Sequence, residues 1–115
     1  MEYKVDTTFS VNTRIDALLE KTLVGFVSFV PSACYIRILS VERSMQKQGI
    51  GSALLRHAEK YMKPNCSKIF VEVGSLSVGQ SKPFEFYLKN GYVYESSYIM
   101  RTFFLQNINS MYKSI

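Results

Sequence analysis

The sequence has few of the residues that would place it in several large classes of protein. It contains two cysteines and one histidine among 115 residues. Two cysteines are too few for the disulfide framework of a small secreted domain, and the spacing of Cys34 and Cys66 does not match a metal site. We therefore expect two reduced cysteines that fill the core, with no nucleophilic role.

Long apolar runs are also missing. No stretch approaches the roughly 20 apolar residues of a membrane span. The first ten residues, MEYKVDTTFS, lack the basic and then apolar pattern of a signal peptide. Internal repeats and low-complexity segments are absent as well. These absences predict a cytoplasmic protein without a membrane partner.

The residues that are present suit one globular domain. Hydrophobic residues make up 47% of the chain, aromatic residues 14% and charged residues 20%. The length is that of a single domain. We expect this domain to span 1–115, with a core that carries the motifs at 23–105 and a polar tail at 106–115.

Positive charge is concentrated in the middle of the chain. The net charge is +5, and the segment 34–68 contains seven basic and two acidic residues, so it carries the whole excess. The acidic pair is Glu42 and Glu59, and we expect Glu59 to face solvent. A local positive field suits an anionic partner such as a phosphate group or a nucleic acid, although a solvated helix face would give the same pattern.

Hydrophobic periodicity predicts an α/β domain with a mixed central sheet flanked by helices, in the order β-α-β-β-α-β-α-β-β. The predicted strands are 2–10, 23–30, 34–41, 69–73, 92–96 and 98–105, and the predicted helices are 12–21, 51–62 and 81–90. The helix at 51–62 would connect two parallel strands as a crossover. Ligands in such sheets bind where strands end and helices begin.

One such joint has the composition of an anion site. The stretch SVERSMQKQGIGSALL carries Gly49 and Gly51 between a strand and a helix. The first turn of a helix has unpaired N–H groups and a partial positive charge, and glycine lets a ligand approach the backbone. Gly-x-Gly alone is common, and the pattern is neither a Walker P-loop nor a complete G-x-G-x-x-G. An ordinary turn therefore stays an alternative at this point.

The wider context resembles a known family. The run Leu39-Ser40-Val41, a short linker, and Gln46-Lys47-Gln48-Gly49-Ile50-Gly51 closely resembles the signature of the GNAT superfamily of acyl-CoA-dependent N-acyltransferases. A second stretch, Gln80 to Tyr92, is similar to the helix and turn Asn-x-x-Ala-x-x-(apolar)-Tyr-x-x-x-Gly-Phe of the same family. Two motifs in the right order are more specific than either alone, and the resemblance covers about 23–105.

The resemblance implies an acetyl-CoA site. In this family the strand before the glycine loop separates from its neighbour, and its free edge pairs with the pantetheine arm of the cofactor. One of its N–H groups would hold the thioester carbonyl as an oxyanion hole. The implied cofactor-binding residues are Leu39, Ser40, Val41, Gln46, Lys47, Gln48, Gly49, Ile50, Gly51, Ser52, Gln80 and Tyr87.

Two residues are candidates for the chemistry. Tyr87 matches the tyrosine that the family often uses as a general acid toward the departing thiolate, although a core role beside Phe86 is the alternative. Glu72 lies within an otherwise apolar strand, where a charge needs a partner or a cleft. It is the candidate general base, and a structural ion pair is equally compatible with its position. No metal site is expected.

Some positions depart from the family pattern. Gln80 replaces the frequent asparagine, and Pro83 replaces the alanine. The part before residue 23 has room for one helix where the family has two, so the acceptor site would be open to a large acceptor or completed by a dimer partner.

The leading prediction is acetyl transfer from acetyl-CoA to a primary amine by direct attack, the amine being a small molecule or a protein lysine or N-terminus. The alternatives are an inactive CoA-binding sensor or interaction module and, less favoured because it lacks the expected motifs, a nucleic-acid binder.

Overall fold

The computed structural model describes residues 1–8, 11–72, 82–94 and 110–115, and these form one mixed sheet with two α-helices. The strands are β1 Glu2–Asp6, β2 Thr13–Leu19, β3 Thr22–Val30, β4 Tyr35–Val41, β5 Lys68–Glu72, β6 Val93–Tyr94 and β7 Ser110–Ser114. The helices are α1 Ile50–Met62 and α2 Lys82–Lys89. Single 3₁₀ turns occupy Pro31–Ala33, Arg43–Met45 and Lys63–Asn65.

The sheet has the strand order β1-β2-β3-β4-β5-β7-β6. Strands β1 to β4 pair as antiparallel neighbours, and β4 and β5 are parallel because α1 crosses between them. Strand β7 then pairs in the antiparallel sense with both β5 and β6. The predicted α/β class with a mixed central sheet and the predicted crossover through the second helix are confirmed.

The predicted helix at 12–21 is wrong, because this segment forms β2. Ile15 and Leu18 have helical spacing, but the buried positions are Thr13, Ile15 and Ala17, which alternate with period two. Arg14 and Asp16 point to the opposite face, where they form an ion pair. The second element of the chain is therefore a strand, and β1 pairs with it directly.

The core lies between α1 and the sheet. One face of α1 buries Ile50, Leu54, Leu55, Ala58 and Met62. This face packs on apolar side chains of β2, β3 and β4. Burying such an aliphatic side chain contributes about 1.5–3 kcal/mol, so the helix is held in place mainly by this contact.

The two cysteines are joined in a disulfide, which corrects the expectation of reduced thiols. Cys34 precedes β4 and Cys66 precedes β5, with a Cα–Cα distance of 5.9 Å. The N–H of Phe70 also donates to the carbonyl of Cys34, at 2.8 Å. The crossover brings together two residues that are 32 positions apart in the chain.

The remaining predictions concern the end of the chain and the membrane. Part of the polar tail, for which the sequence predicts no element, forms β7, and the predicted strand at 98–105 lies outside the described residues. Within the described ranges, the length and apolarity of the helices do not suffice for a membrane span.

Candidate active site

Among the described residues, strands β4 and β5 pair over two residue pairs, and the pairing then ends. Tyr35 pairs with Phe70 and Ile36 with Val71, and the ladder does not continue to Arg37 and Glu72. Arg37 is also the extra residue of a β-bulge, since Ile36 and Ile38 stand opposite consecutive residues of β3. The bulge therefore lies where the two parallel strands part.

The second half of β4 is paired with β3 along one edge, and along the other edge it has no strand partner among the described residues. The N–H of Glu42 donates to the carbonyl of Val24 on β3 at 2.8 Å. Because backbone groups of successive residues in a strand point to opposite edges, the N–H groups of Val41 and Leu39 point away from β3. Ser40 points its backbone to β3, opposite Phe26. Of the three predicted residues, Leu39 and Val41 thus offer backbone donors at the separated edge.

The loop after β4 is hydrogen-bonded to the end of that strand. The side-chain amide of Gln46 donates from Nε2 to the carbonyl of Val41 at 3.1 Å. We predict a cofactor contact for Gln46 from the sequence; in the structure its amide joins the loop to β4. The bond fixes the distance between the strand edge and the helix that follows.

The start of α1 has the geometry of an anion site. Gly49 is the N-cap with φ of +81°, and no side chain caps the first turn. The N–H groups of Ile50, Gly51 and Ser52 in that turn add to the positive end of the helix dipole. Among the described residues, a β-carbon built on Gly49 would meet nothing within 4 Å, so none of them fills the space beside it.

The two glycines of the motif serve different purposes. Gly49 needs the left-handed conformation that glycine adopts without strain. At Gly51 a β-carbon would lie 3.3 Å from Cε1 of Phe86 in α2. Gly51 therefore allows α2 to pack closely against the first turn of α1. Lys47, at φ of +67°, and Gln48 are exposed beside Gly49.

Tyr87 lies at the inner side of α2 and is 7% exposed. Its ring packs edge-on against Phe86, with centroids 5.2 Å apart, and against Tyr92, at 5.5 Å. Burial, with a smaller effect of Tyr35, raises the pKa of Tyr87 to about 12. The phenol therefore keeps its proton at neutral pH. The structure thus shows the core role of Tyr87, and its role as an acid stays a prediction.

Glu59 corrects another expectation, since it is buried rather than solvent-facing. It is 9% exposed. Oη of Tyr92 donates to its Oε2 at 2.8 Å, and Nζ of Lys113 donates to its Oε1 at 3.1 Å. Burial and the Glu59 carboxylate raise the pKa of Tyr92 far above its usual range. Glu59 stands four residues after Leu55 and three before Met62, and this spacing is the sequence signal for its burial.

A cleft of about 300 Å³ lies where β3 begins and β4 ends. Its walls come from adjacent segments of the two strands and the loop, namely Leu23, Val24, Gly25, Phe26, Ser40, Val41, Glu42 and Arg43. It combines apolar walls with one acidic and one basic side chain. Because Ser40 and Val41 line it, the cleft adjoins the separated part of β4.

Three further residues from the sequence analysis contribute less to the described site. The backbone of Glu72 ends β5 beside the point of separation, and its side chain lies outside what the structure describes. Gln80 also lies outside the described residues. His57 stacks on Tyr3 of β1, with ring centroids 4.4 Å apart, as an exposed structural contact.

A parallel strand pair that opens beside a glycine-rich helix start defines the class of acyl-CoA-dependent transferases that the sequence motifs resemble. The chain belongs to this family: the family model described as acetyltransferase (GNAT) domain matches residues 14–94. No curated protein matched the chain.

Solved structures agree with the family assignment. The PaiA N-acetyltransferase from Thermoplasma acidophilum, in complex with coenzyme A, is 25% identical with a TM-score of 0.75, over 91% of this chain and 62% of that one. A structure from Bacillus anthracis str. Ames with acetyl coenzyme A bound is 19% identical with a TM-score of 0.74, over 94% of this chain and 65% of that one. An aminoglycoside 6'-N-acetyltransferase complexed with coenzyme A is 20% identical with a TM-score of 0.71, over 91% and 73% of the two chains. This chain thus spans less than two thirds of the length of the first two.

Proposed function

We propose that the chain is an N-acetyltransferase that transfers an acetyl group from acetyl-CoA to a primary amine. The separation of β4 from β5 beside the open start of α1 carries this proposal. Leu39 and Val41 offer backbone groups that would pair with an extended pantetheine arm. The N–H groups near Gly49 would bind the pyrophosphate, with Lys47 adding positive charge. Acetyl-CoA supplies an activated thioester carbonyl, and the chain supplies orientation and charge stabilisation.

The reaction is a direct attack. The amine nitrogen forms a bond to the carbonyl carbon, the carbon–sulfur bond breaks, and the sulfur leaves with its electron pair. A backbone N–H of Leu39 or Val41 would stabilise the negative charge that develops on the carbonyl oxygen. No acyl-cysteine is involved, because Cys34 and Cys66 are joined to each other.

Tyr87 would act mainly as a hydrogen-bond donor to the leaving sulfur. Its pKa is about 12. A thiol has a pKa of about 8.5, so complete proton transfer from Tyr87 to a thiolate is uphill by about 5 kcal/mol. A phenol that stays protonated can still stabilise the thiolate through a charge-assisted hydrogen bond. This refines the general-acid role that the sequence suggests.

Glu72 is the proposed base for the amine proton. Its position beside the parting of β4 and β5 supports this role. Replacing Glu72 by Gln should lower turnover at neutral pH and leave acetyl-CoA affinity unchanged. If the variant keeps full turnover, or if it loses turnover only together with acetyl-CoA affinity, the base lies elsewhere.

The cleft beside Ser40 and Val41 is the proposed entrance for the acceptor. Only residues 7–12 separate β1 from β2, which pair directly, and this leaves room for a large acceptor such as a protein lysine or N-terminus. A cytoplasmic location and a homodimer stay predictions.

Calorimetry with acetyl-CoA and with CoA is the first test. Binding of both is expected, and absence of binding would reject the proposal. Release of free thiol in the presence of a panel of amines and lysine-containing peptides then tests transfer. Binding of acetyl-CoA without thiol release from any acceptor would instead favour the CoA-binding sensor.

A further inference from the structure

We infer that Tyr92 and Glu59 are positioning residues that set the place of the Tyr87 hydroxyl relative to the glycine loop. This inference rests on the proposed function and extends it to two residues outside the acetyl-CoA site. It is carried by the contacts of the turn that ends α2. In that turn, Tyr92 is hydrogen-bonded to Tyr87 through its backbone and to Glu59 of α1 through its side chain.

Tyr92 is joined to Tyr87 by backbone and ring. The N–H of Tyr92 donates to the carbonyl of Tyr87 at 2.9 Å, which closes the last turn of α2. Gly91 makes this turn possible, with φ of +92°. The Tyr92 ring is fully buried and meets the Tyr87 ring edge-on, with an angle of 68° between the planes. A movement of the Tyr92 ring must therefore move Tyr87.

Glu59 holds the far end of the Tyr92 ring. The hydrogen bond from the phenol to the buried carboxylate is charge-assisted, and such bonds are stronger than neutral ones. Lys113 of β7 neutralises the carboxylate from the other side, at 3.1 Å. The Lys113 chain also covers the turn, because its Cε lies 3.3 Å from where a β-carbon on Gly91 would stand. Both carboxylate oxygens are thus engaged, and the network has little freedom.

Within the described residues, α2 and the turn that follows it consequently contact α1 at two points, and Tyr87 lies between these points in the sequence. At the front, Phe86 packs on Gly51 in the first turn of α1. At the back, Tyr92 bonds to Glu59, eight residues later in α1. Two points fix the orientation of α2 against α1, whereas a single point would allow it to pivot. The leaving-group donor and the anion site are therefore held on one rigid unit.

The role of the Tyr92 hydroxyl can be tested by substitution. A phenylalanine there would fill the same space and keep the ring contact with Tyr87, but it would lose the bond to α1. The Glu59 carboxylate would keep Lys113 as its partner. Since a displacement of about 1 Å in a reacting group can cost a hundredfold in rate, loss of this anchor should be visible in turnover.

The test is a double-mutant cycle on the full chain. Tyr92→Phe should lower kcat at least tenfold and leave acetyl-CoA affinity within twofold, because the N–H groups near Gly49 are untouched. In a Tyr87→Phe background the same change should have almost no further effect on kcat. Tyr61→Phe is the matched control, since it also removes a hydroxyl and lies on α1, packed against Phe29. It should leave kcat unchanged.

An independent readout uses the Tyr87 ring itself. With ¹³C-labelled tyrosine, the Tyr87 ring resonances should shift in Tyr92→Phe and stay in place in Tyr61→Phe. Unchanged Tyr87 resonances, or a kcat loss that is equally large in the Tyr87→Phe background, would overturn the inference. Absence of transfer by the wild-type chain would instead reject the proposed function, and the resonances would still decide whether Tyr92 positions Tyr87.

Discussion

Cys34 and Cys66 are bonded to each other at the starts of β4 and β5, the two parallel strands that part further along. The disulfide thus links the two strands at the end where they are paired, next to the candidate active site. It also encloses the glycine loop and α1 in one covalent loop of 32 positions.

Reduction of this disulfide should lower stability. A cross-link restricts the unfolded chain, and for a loop of this length the restriction stabilises the fold by about 3–4 kcal/mol. Urea unfolding with and without a phosphine reductant should show this difference. The Cys34→Ser/Cys66→Ser double variant is the control: it should match the reduced wild type and not respond to the reductant. Equal stability of oxidised and reduced protein would contradict the prediction.

Gly49→Ala should weaken CoA binding at least tenfold. The added methyl group would enter the open space beside the first-turn N–H groups of α1. Its strain in the left-handed region should cost only about 1–2 kcal/mol of stability. Calorimetry with CoA checks the affinity.

The matched control for that variant is Gly91→Ala, which carries a similar positive φ and should be strained to a similar degree. It lies in the turn after α2, so CoA affinity should be kept. If both variants lose affinity equally, the effect comes from instability and the anion site is misplaced.

Tyr87→Phe should lower kcat by about ten- to a hundredfold, because it removes a charge-assisted hydrogen bond to the leaving sulfur that contributes about 1.5–3 kcal/mol. Acetyl-CoA affinity should stay within twofold, because the phenol acts on the leaving sulfur and phenylalanine preserves the packing with Phe86. Stopped-flow thiol release and calorimetry separate the two quantities. Unchanged kcat would assign Tyr87 to the core alone.

Stability should fall at alkaline pH in a way that depends on Tyr87. Its pKa is raised from 10.0 to about 12 on folding, so its contribution is complete below pH 10 and is lost as the pH rises toward 12. Two pKa units correspond to about 2–3 kcal/mol. Urea unfolding between pH 9 and 11.5 should therefore show a steeper loss for the wild type than for Tyr87→Phe. Parallel curves would contradict the burial of the phenol.

The sequence predicts the parts of the fold that have local signals. The helix α1, the glycine loop and the strands β3 and β4 follow from periodicity and motif, and the resemblance to the GNAT family is confirmed by the family match. The sequence does not predict strand β2, because the hairpin turn after it carries no turn signal. Glu20 and Lys21 both adopt positive φ there, a geometry that usually selects asparagine and glycine.

Other features depend on contacts between distant segments. The pairing of Cys34 with Cys66 follows from the parallel crossover, which no local pattern encodes. The spacing of Glu59 on α1 indicates a buried position, but its partners Tyr92 and Lys113 lie 33 and 54 residues away, so no local pattern identifies them. The separation of β4 and β5 was expected from the family resemblance alone. The bulge at Arg37, which lies where the described pairing of these strands ends, is a backbone irregularity without a distinctive residue type.

The sheet order has a consequence for how the chain folds during synthesis. Strand β7 lies between β5 and β6, so β6 has no partner among the described strands until residues 110–114 have left the ribosome. Until then one edge of β5 has no partner among the described strands, and Glu59 lacks Lys113. Such an open edge can pair with chaperones or with other chains. The pairing of β7 with β5 and β6 and the arrival of Lys113 at the buried Glu59 carboxylate therefore occur in the same step.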